Sequence, residues 1–313
     1  MEKNLSIIEN INSREEMKEF LFKNQNLPID IMVQAKKKLY NIETGKDFDF
    51  ENPVTFNEKM QWLMVHYKNP KMTLCADKYK VREYIKNTIG EKYLVKLLGV
   101  YDKFDDIEFN NFPESVAMKV NWGSGQNIII RERSKINMEK VKNKFDEWMQ
   151  PISNHYYLGM EWCYKNIEPK IVCEEYLESL SKSALDYKFM CFNGEPIYCW
   201  VSNKYKDIQE RSFYDMNWNM QDIELVEWHK IKSPEPLPKP ENFDEMKELA
   251  TILCKGWPHI RVDFYKLDNG DIKFGELTFH TSCGYSQWKP YDVDIAMGNL
   301  INIDEIRKGE FYV

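Results

Sequence analysis

The chain has nothing for a membrane to hold and little for nucleic acid. No apolar run reaches the ~20 residues that a membrane-spanning helix requires. The opening Met1-Glu-Lys-Asn-Leu-Ser6 lacks the apolar stretch of a secretory signal. A net charge of −7 over 313 residues gives no general attraction to a phosphate backbone. Only five histidines are present, none at metal-ligand spacing from another. The seven cysteines are odd in number and contain no Cys-x-x-Cys pair. Buried free thiols in a reducing cytoplasm account for them better than disulfides or zinc, so a cytoplasmic location is expected.

What is present is a globular composition, 43% hydrophobic and 14% aromatic, in a chain long enough for two or three lobes. The pattern changes character near residue 92. Before it, residues ~14–25, ~29–42, ~55–67 and ~77–89 carry apolar side chains at three- and four-residue spacing. Phe56, Met60, Leu63 and Met64 are one such stripe, and Thr55 with Glu58 makes a capping box at its start. After it, strands are expected at Leu94–Tyr101, Val116–Val120, Asn127–Arg131, Lys170–Leu177, Asp186–Phe192, Pro196–Ser202 and Ser212–Asp215. Helices are expected at ~137–150, ~242–256 and ~292–303, and Ser233-Pro-Glu-Pro-Leu-Pro-Lys-Pro240 reads as a stiff surface connection. Strands mixed with segregated helices indicate an α+β architecture, not a doubly wound sheet.

The most informative residues are two acids. Asn269-Gly270 is a strong hairpin signal, and a loop centred on it sets Asp263 opposite Glu276 and Arg261 opposite Thr278. Facing like charges destabilise a sheet, so something cationic is expected between them. Removing one acid should relieve repulsion and raise the melting temperature. Mg²⁺ held by carboxylates and substrate phosphates is the candidate, and Arg261, on the same face, would hold a phosphate or oxyanion beside it. A solvated hairpin with two exposed acids is the alternative, and a three-residue bulged loop would shift the register by one and break the pairing.

Three other segments carry the remaining parts of a nucleotide site. In Val116-Ala-Met-Lys-Val-Asn-Trp-Gly-Ser-Gly-Gln-Asn-Ile-Ile-Ile130, two strands flank a loop holding Gly123, Ser124 and Gly125. Glycine lets backbone N–H groups approach a phosphate. Because both flanks are strands, this is neither a Walker A loop nor a dinucleotide fingerprint. Lys119, a charge in an apolar strand, needs a partner that a phosphate would supply; an ordinary tight hairpin with a solvated lysine is the alternative. In Lys170-Ile-Val-Cys-Glu-Glu-Tyr-Leu-Glu178, the strand exit at Glu174, Glu175, Tyr176 and Leu177 suits a hinge against an adenine, or else is a strand end with solvated acids. In Asp186-Tyr-Lys-Phe-Met-Cys-Phe-Asn-Gly194, Asp186 and Lys188 share a face, as a site or as a surface ion pair.

Taken in order, these pieces resemble the ATP-grasp superfamily, and within it the TupA-like branch named for teichuronopeptide synthesis. The shared phrases are Asp77-Lys78-Tyr79, Val81-Arg-Glu-Tyr84, Leu98-Gly-Val100, Tyr187-Lys-Phe189, Cys191-Phe-Asn-Gly194 and Gly275-Glu-Leu-Thr-Phe279, spread over roughly residues 55–300. The resemblance implies an ATP-grasp fold, two α+β lobes clamping ATP with a helical N-terminal region. The divisions would be 1–92, 93–173 with the glycine-rich loop, and 174–313 with the metal site. It implies ATP and Mg²⁺, or Mn²⁺ in its place, as cofactors. Lys78, Lys119, Lys188 and the Gly123–Gly125 backbone would hold the phosphates, and Glu174 to Leu177 the adenine. Asp186, or alternatively Glu178, would take the ribose. Asp263, Glu276 and Thr278 would hold the metal, with Arg261 and Lys119 as the catalytic cations. Two departures stand out. Many ATP-grasp enzymes place Asn where Thr278 stands, which puts direct ligation by Thr278 in doubt, and His280-Thr-Ser-Cys-Gly284 lacks the family's proline. His280 is then either a base at that loop or a structural residue.

The implied activity is an ATP-dependent carboxylate–amine ligase working through an acyl phosphate. Its substrates would be an amino acid donor and a small-molecule or glycan acceptor of the cell surface or capsule. A kinase acting on a glycan or small molecule uses the same ATP site, and a non-catalytic nucleotide-binding partner of polysaccharide assembly is the third reading. The intact Arg261, Asp263 and Glu276 weigh against the last. No nucleic-acid partner is expected, and the oligomeric state is open.

Overall fold

A computed structural model describes residues 2–177, 185–205, 208–226, 230–233 and 235–309. Glu178 and Pro234 lie outside these. In chain order the helices are α1 Glu2–Glu9, α2 Arg14–Lys23, α3 Ile29–Thr44, α4 Phe56–His66, α5 Pro70–Ala76, α6 Val81–Thr88, α7 Met138–Trp148, α8 Tyr156–Gly159, α9 Phe243–Cys254, α10 Asp292–Asn299 and α11 Ile303–Arg307. The strands are β1 Leu97–Tyr101, β2 Val116–Val120, β3 Asn127–Ile130, β4 Ile171–Glu175, β5 Leu185–Phe192, β6 Glu195–Tyr205, β7 Ile208–Asp215, β8 Met220–Gln221, β9 Glu224–Val226, β10 Lys230–Lys232, β11 His259–Lys266, β12 Ile272–Thr278 and β13 Gln287–Lys289. No helix among the described residues is long and apolar enough to cross a membrane. The α+β architecture and most element positions match the periodicity. One expected helix, ~77–89, starts only at Val81. Asp77 Oδ1 accepts the N–H groups of Tyr79 at 2.8 Å and Lys80 at 3.2 Å, and this holds residues 77–80 in a turn.

The chain divides into two compact units, residues 1–39 with 70–183 and residues 40–69 with 184–313. The division runs through α3, and residues 93–173 lie wholly within the first unit. The first unit is built on an antiparallel sheet of order β1-β4-β2-β3. Its central strands β2 and β4 are buried along nearly their whole length, as an apolar run with neighbours on both sides should be, and the half-exposed exception on β2 is Lys119.

The second unit is a sheet of order β10-β7-β6-β5-β11-β12, with β8 on β7. Strand alternation sends Phe189, Val262, Phe264 and Leu277 to one face. There α9 covers them, with Phe243 stacked 5.7 Å from Phe189. The opposite face is apolar at one end, where Phe56 of α4 meets His259 at 5.0 Å and Phe192 at 6.0 Å, and charged at the other. Helix α4 belongs to this unit for specific reasons. Thr55 and Glu58 form the expected capping box. Asn57 donates to both carboxylate oxygens of Asp294 at 3.0 and 2.9 Å. Gln61 Nε2 donates to the carbonyls of Cys283 at 2.9 Å and Gly284 at 2.8 Å. A side chain at Gly284 would meet Asn57 O at 2.8 Å, so only glycine lets this turn lie on the helix.

Candidate active site

In the first unit, the β2–β3 hairpin pairs Lys119 with Asn127, and the N–H of Val120 reaches Gln126 O across the glycine loop at 3.0 Å. Gly125 takes φ +74°, with nothing within 4 Å of where a side chain would stand; Ser124 is exposed. Gly123 is instead a close-approach glycine, since a Cβ there would stand 3.1 Å from His155 Cβ. Asn121 pins the loop: its side chain accepts from Lys170 N at 2.8 Å and donates to Glu168 O at 3.0 Å. Lys78 lies 45 residues earlier, yet its ammonium donates to the Gly123 carbonyl and its N–H to the Asn121 carbonyl. Lys78 and the glycine loop therefore meet in three dimensions.

The partner of Lys119 is a finding that the sequence did not announce. Lys119 and Glu174 sit diagonally on one sheet face, with Ala117 opposite Glu174 and Lys119 opposite Val172. Lys119 Nζ bonds Glu174 Oε2 at 2.8 Å, and Arg82 Nη1 takes Oε1 at 2.7 Å. The expected adenine-hinge acid is thus held by two cations. At the next residue, the Glu175 N–H is used on the Lys96 carbonyl at 3.0 Å. Tyr176 is buried, with its hydroxyl accepting from Arg131 at 2.9 Å, and Leu177 is half-buried.

In the second unit, Asp263 faces Glu276 and Arg261 faces Thr278, as the hairpin reading required. The cations between the acids come from the protein itself. Arg261 donates to both Asp263 oxygens at 2.7 Å and to Glu276 Oε1 at 2.7 Å. Lys188, directly across on β5, bonds Asp263 Oδ2 at 2.7 Å and Asp186 Oδ2 at 2.6 Å. Burial pulls the Lys188 ammonium down, but Asp263 and Asp186 outweigh it and the net shift is upward. Burial likewise opposes the charge of Arg261, and Asp263 and Glu276 more than restore it. Asp186 goes the other way: burial raises its carboxyl against the pull of Lys188, and its Oδ1 is buried without a hydrogen-bond partner. Thr278 Oγ1 lies 3.1 Å from Glu276 Oε1. All these donors are oxygens of carboxylates and a hydroxyl, the hard set that Mg²⁺ prefers, and the unpartnered Asp186 oxygen is one more acceptor at the same face. His280 is buried, and its carbonyl accepts from Cys283 N at 2.9 Å.

Sequence reasoning missed Arg82, Asn121, Gln61 and Gly275. Arg82, Asn121 and Gly275 lie within the quoted stretches but carry no task there, and Gln61 lies in none of them. The sequence model of TupA-like ATPgrasp matches residues 58–302. The chain belongs to the TupA-like ATP-grasp family. No curated protein matches it significantly. Among solved structures it is similar to an L-amino acid ligase from Bacillus licheniformis, at 12% identity and TM-score 0.46 over 82% of this chain and 55% of that one. It is also similar to N5-carboxyaminoimidazole synthetase from Staphylococcus aureus complexed with ADP, at 12% identity and TM-score 0.39 over 86% and 57%. A third is the biotin carboxylase domain of the Hydrogenobacter thermophilus 2-oxoglutarate carboxylase with MgADP, at 15% identity and TM-score 0.40 over 66% and 40%. This TupA-like ATP-grasp chain thus spans well under two thirds of each of these proteins.

Proposed function

We propose that this chain binds Mg-ATP and uses it to join a carboxylate to an amine. The observation that carries the reading is the β11–β12 pairing, in which Asp263 and Glu276 face each other and one guanidinium, Arg261, reaches both. The other roles are proposed on the resemblance to the family. Lys78, Lys119, Lys188 and the Gly123–Gly125 backbone hold the phosphates, Glu174 to Leu177 the adenine and Asp186 the ribose. Asp263, Glu276 and Thr278 would hold Mg²⁺, or Mn²⁺ in its place, and that ion would neutralise charge on the transferring phosphoryl group. The Thr278 hydroxyl would hold the ion itself or a water bound to it.

A carboxylate oxygen of the substrate takes the γ-phosphoryl group as the bond to ADP breaks. The amine nitrogen then attacks the acyl carbon, phosphate leaves, and the nitrogen sheds a proton. Arg261 is positioned beside the carboxylate pair to balance charge on the new phosphate, the kind of fixed electrostatic stabilisation that costs no reorganisation. The substrates are an amino acid or short peptide and a uronic acid or amino sugar of a surface polysaccharide, and the use of ATP assigns the reaction to the cytoplasm. Hydroxylamine supplied with ATP and the carboxylate, with the amine omitted, should give a hydroxamate, with ADP and inorganic phosphate formed in equal amount. A stable phosphorylated sugar without phosphate release would replace the ligase reading with a kinase.

A further inference from the structure

We propose that Arg82 is a positioning residue for Lys119, acting through Glu174, and that it frees the lysine to take an anionic ligand. The inference rests on the reading above that Lys119 grips the nucleotide's phosphates.

Glu174 is buried, and its two oxygens are divided between two cations, Oε1 to Arg82 at 2.7 Å and Oε2 to Lys119 at 2.8 Å. Arg82 is aimed by a second bond, from Nη2 to the Val95 carbonyl at 2.7 Å, so its guanidinium is fixed between α6 and the residues leading into β1. Of the three side chains, that of Lys119 is the most exposed, at 26% against 15% for Arg82 and 10% for Glu174. The group therefore has one anchored cation, one anchored anion and one cation able to move.

A buried carboxylate with a single cationic partner keeps that partner, because releasing it strands an unpaired buried charge. If Lys119 were Glu174's sole partner, its transfer to a phosphate would weaken binding by on the order of a hundredfold. With Arg82 in place, Glu174 stays paired and hydrogen-bonded after Lys119 leaves. The group carries two cations and one anion, and the surplus positive charge resides on the mobile lysine. Arg82, bonded to Glu174 and the Val95 carbonyl, thus acts on the ligand only through the exchange of partners at Glu174.

The test is Mg-ATP titration calorimetry on the full chain, with inorganic tripolyphosphate as a second probe lacking the adenine. Lys119→Ala should weaken both ligands. Arg82→Gln should weaken both at least about tenfold in the wild-type background, but less than about twofold when Glu174→Gln is already present, because no charge is then stranded. An equal loss from Arg82→Gln in both backgrounds, or no loss in the wild type while Lys119→Ala weakens binding, overturns the proposal. Unchanged affinity in Lys119→Ala would instead sink the phosphate role of Lys119, and the proposal with it. Should Arg82→Gln fail to fold, Arg82→Lys serves, since a point charge cannot span both Glu174 and Val95; its smaller loss must show the same dependence on Glu174.

Discussion

At the scale of single residues, the charges that make this site legible are also what hold it together without a ligand. Lys188 and Arg261 stand among Asp186, Asp263 and Glu276, and Asp263 is almost wholly buried with contacts to both cations. The facing acids alone suggest repulsion relieved by removing one. The geometry reverses the sign. Asp263→Asn should lower the stability of the ligand-free protein by about 3–5 kcal/mol, the usual cost of breaking a buried ion pair from one side. Chemical denaturation without nucleotide measures this directly, and a raised midpoint would show that repulsion dominates after all.

At the scale of elements, the β11–β12 hairpin reaches the expected pairing by an unexpected route. The loop is not a two-residue turn on Asn269-Gly270. Leu267 N–H bonds Asp271 O at 2.9 Å, so Asp268, Asn269 and Gly270 all lie in the loop, and Phe264 pairs with Phe274. That offset would have moved Asp263 away from Glu276. A bulge between Asp263 and Phe264 on one strand, with Gly275 as the extra residue on the other, shifts the register back. The two offsets cancel. Gly275 is suited to this place because a Cβ would stand 3.1 Å from Asp263 O and 3.3 Å from Asp263 Cβ. Gly275→Ala should therefore cost about 1–2 kcal/mol in stability and reduce metal-dependent turnover by more than the fold loss explains. Thermal melts alongside the Mg²⁺ dependence of rate separate the two effects.

At the scale of the whole molecule, two buried titratable groups set opposing pH responses. Burial pushes the Asp294 carboxyl up to about 6, against hydrogen bonds from Asn57. Its folded form holds the proton more tightly than the unfolded chain does, so it adds stability as pH falls from about 6 toward 3.8 and loses it as pH rises through 6. Burial pushes His259 down to about 3, so its contribution is complete above 6.5 and is lost as pH falls toward 3. Between pH 6 and 4 the two slopes are opposite, each roughly 1.4 kcal/mol per pH unit. Asp294→Asn removes one of them. Its penalty relative to wild type should be about 2–3 kcal/mol larger at pH 4 than at pH 7, read from urea midpoints at both values.

The sequence by itself determined the α+β class, the positions of most helices and strands, the capping box at Thr55 and the TupA-like ATP-grasp membership. The Asn269-Gly270 turn signal placed Asp263 near Glu276, and the family resemblance grouped Lys78 with the glycine loop. The class, the elements, the cap and the hairpin are readable because periodicity, caps and turn residues act over a few neighbours; the family and the place of Lys78 are readable only through the resemblance. The tertiary structure decided the counter-charges: Glu174 for Lys119, Arg82 behind Glu174, and Lys188 with Arg261 between the facing acids. It also decided that residues 40–69 pack with the C-terminal half, through contacts such as Asn57 with Asp294. Buried charges must be neutralised by whatever the fold brings within about 3 Å. Which side chains those are depends on strand order and packing over separations of tens to hundreds of residues, where no local pattern reaches.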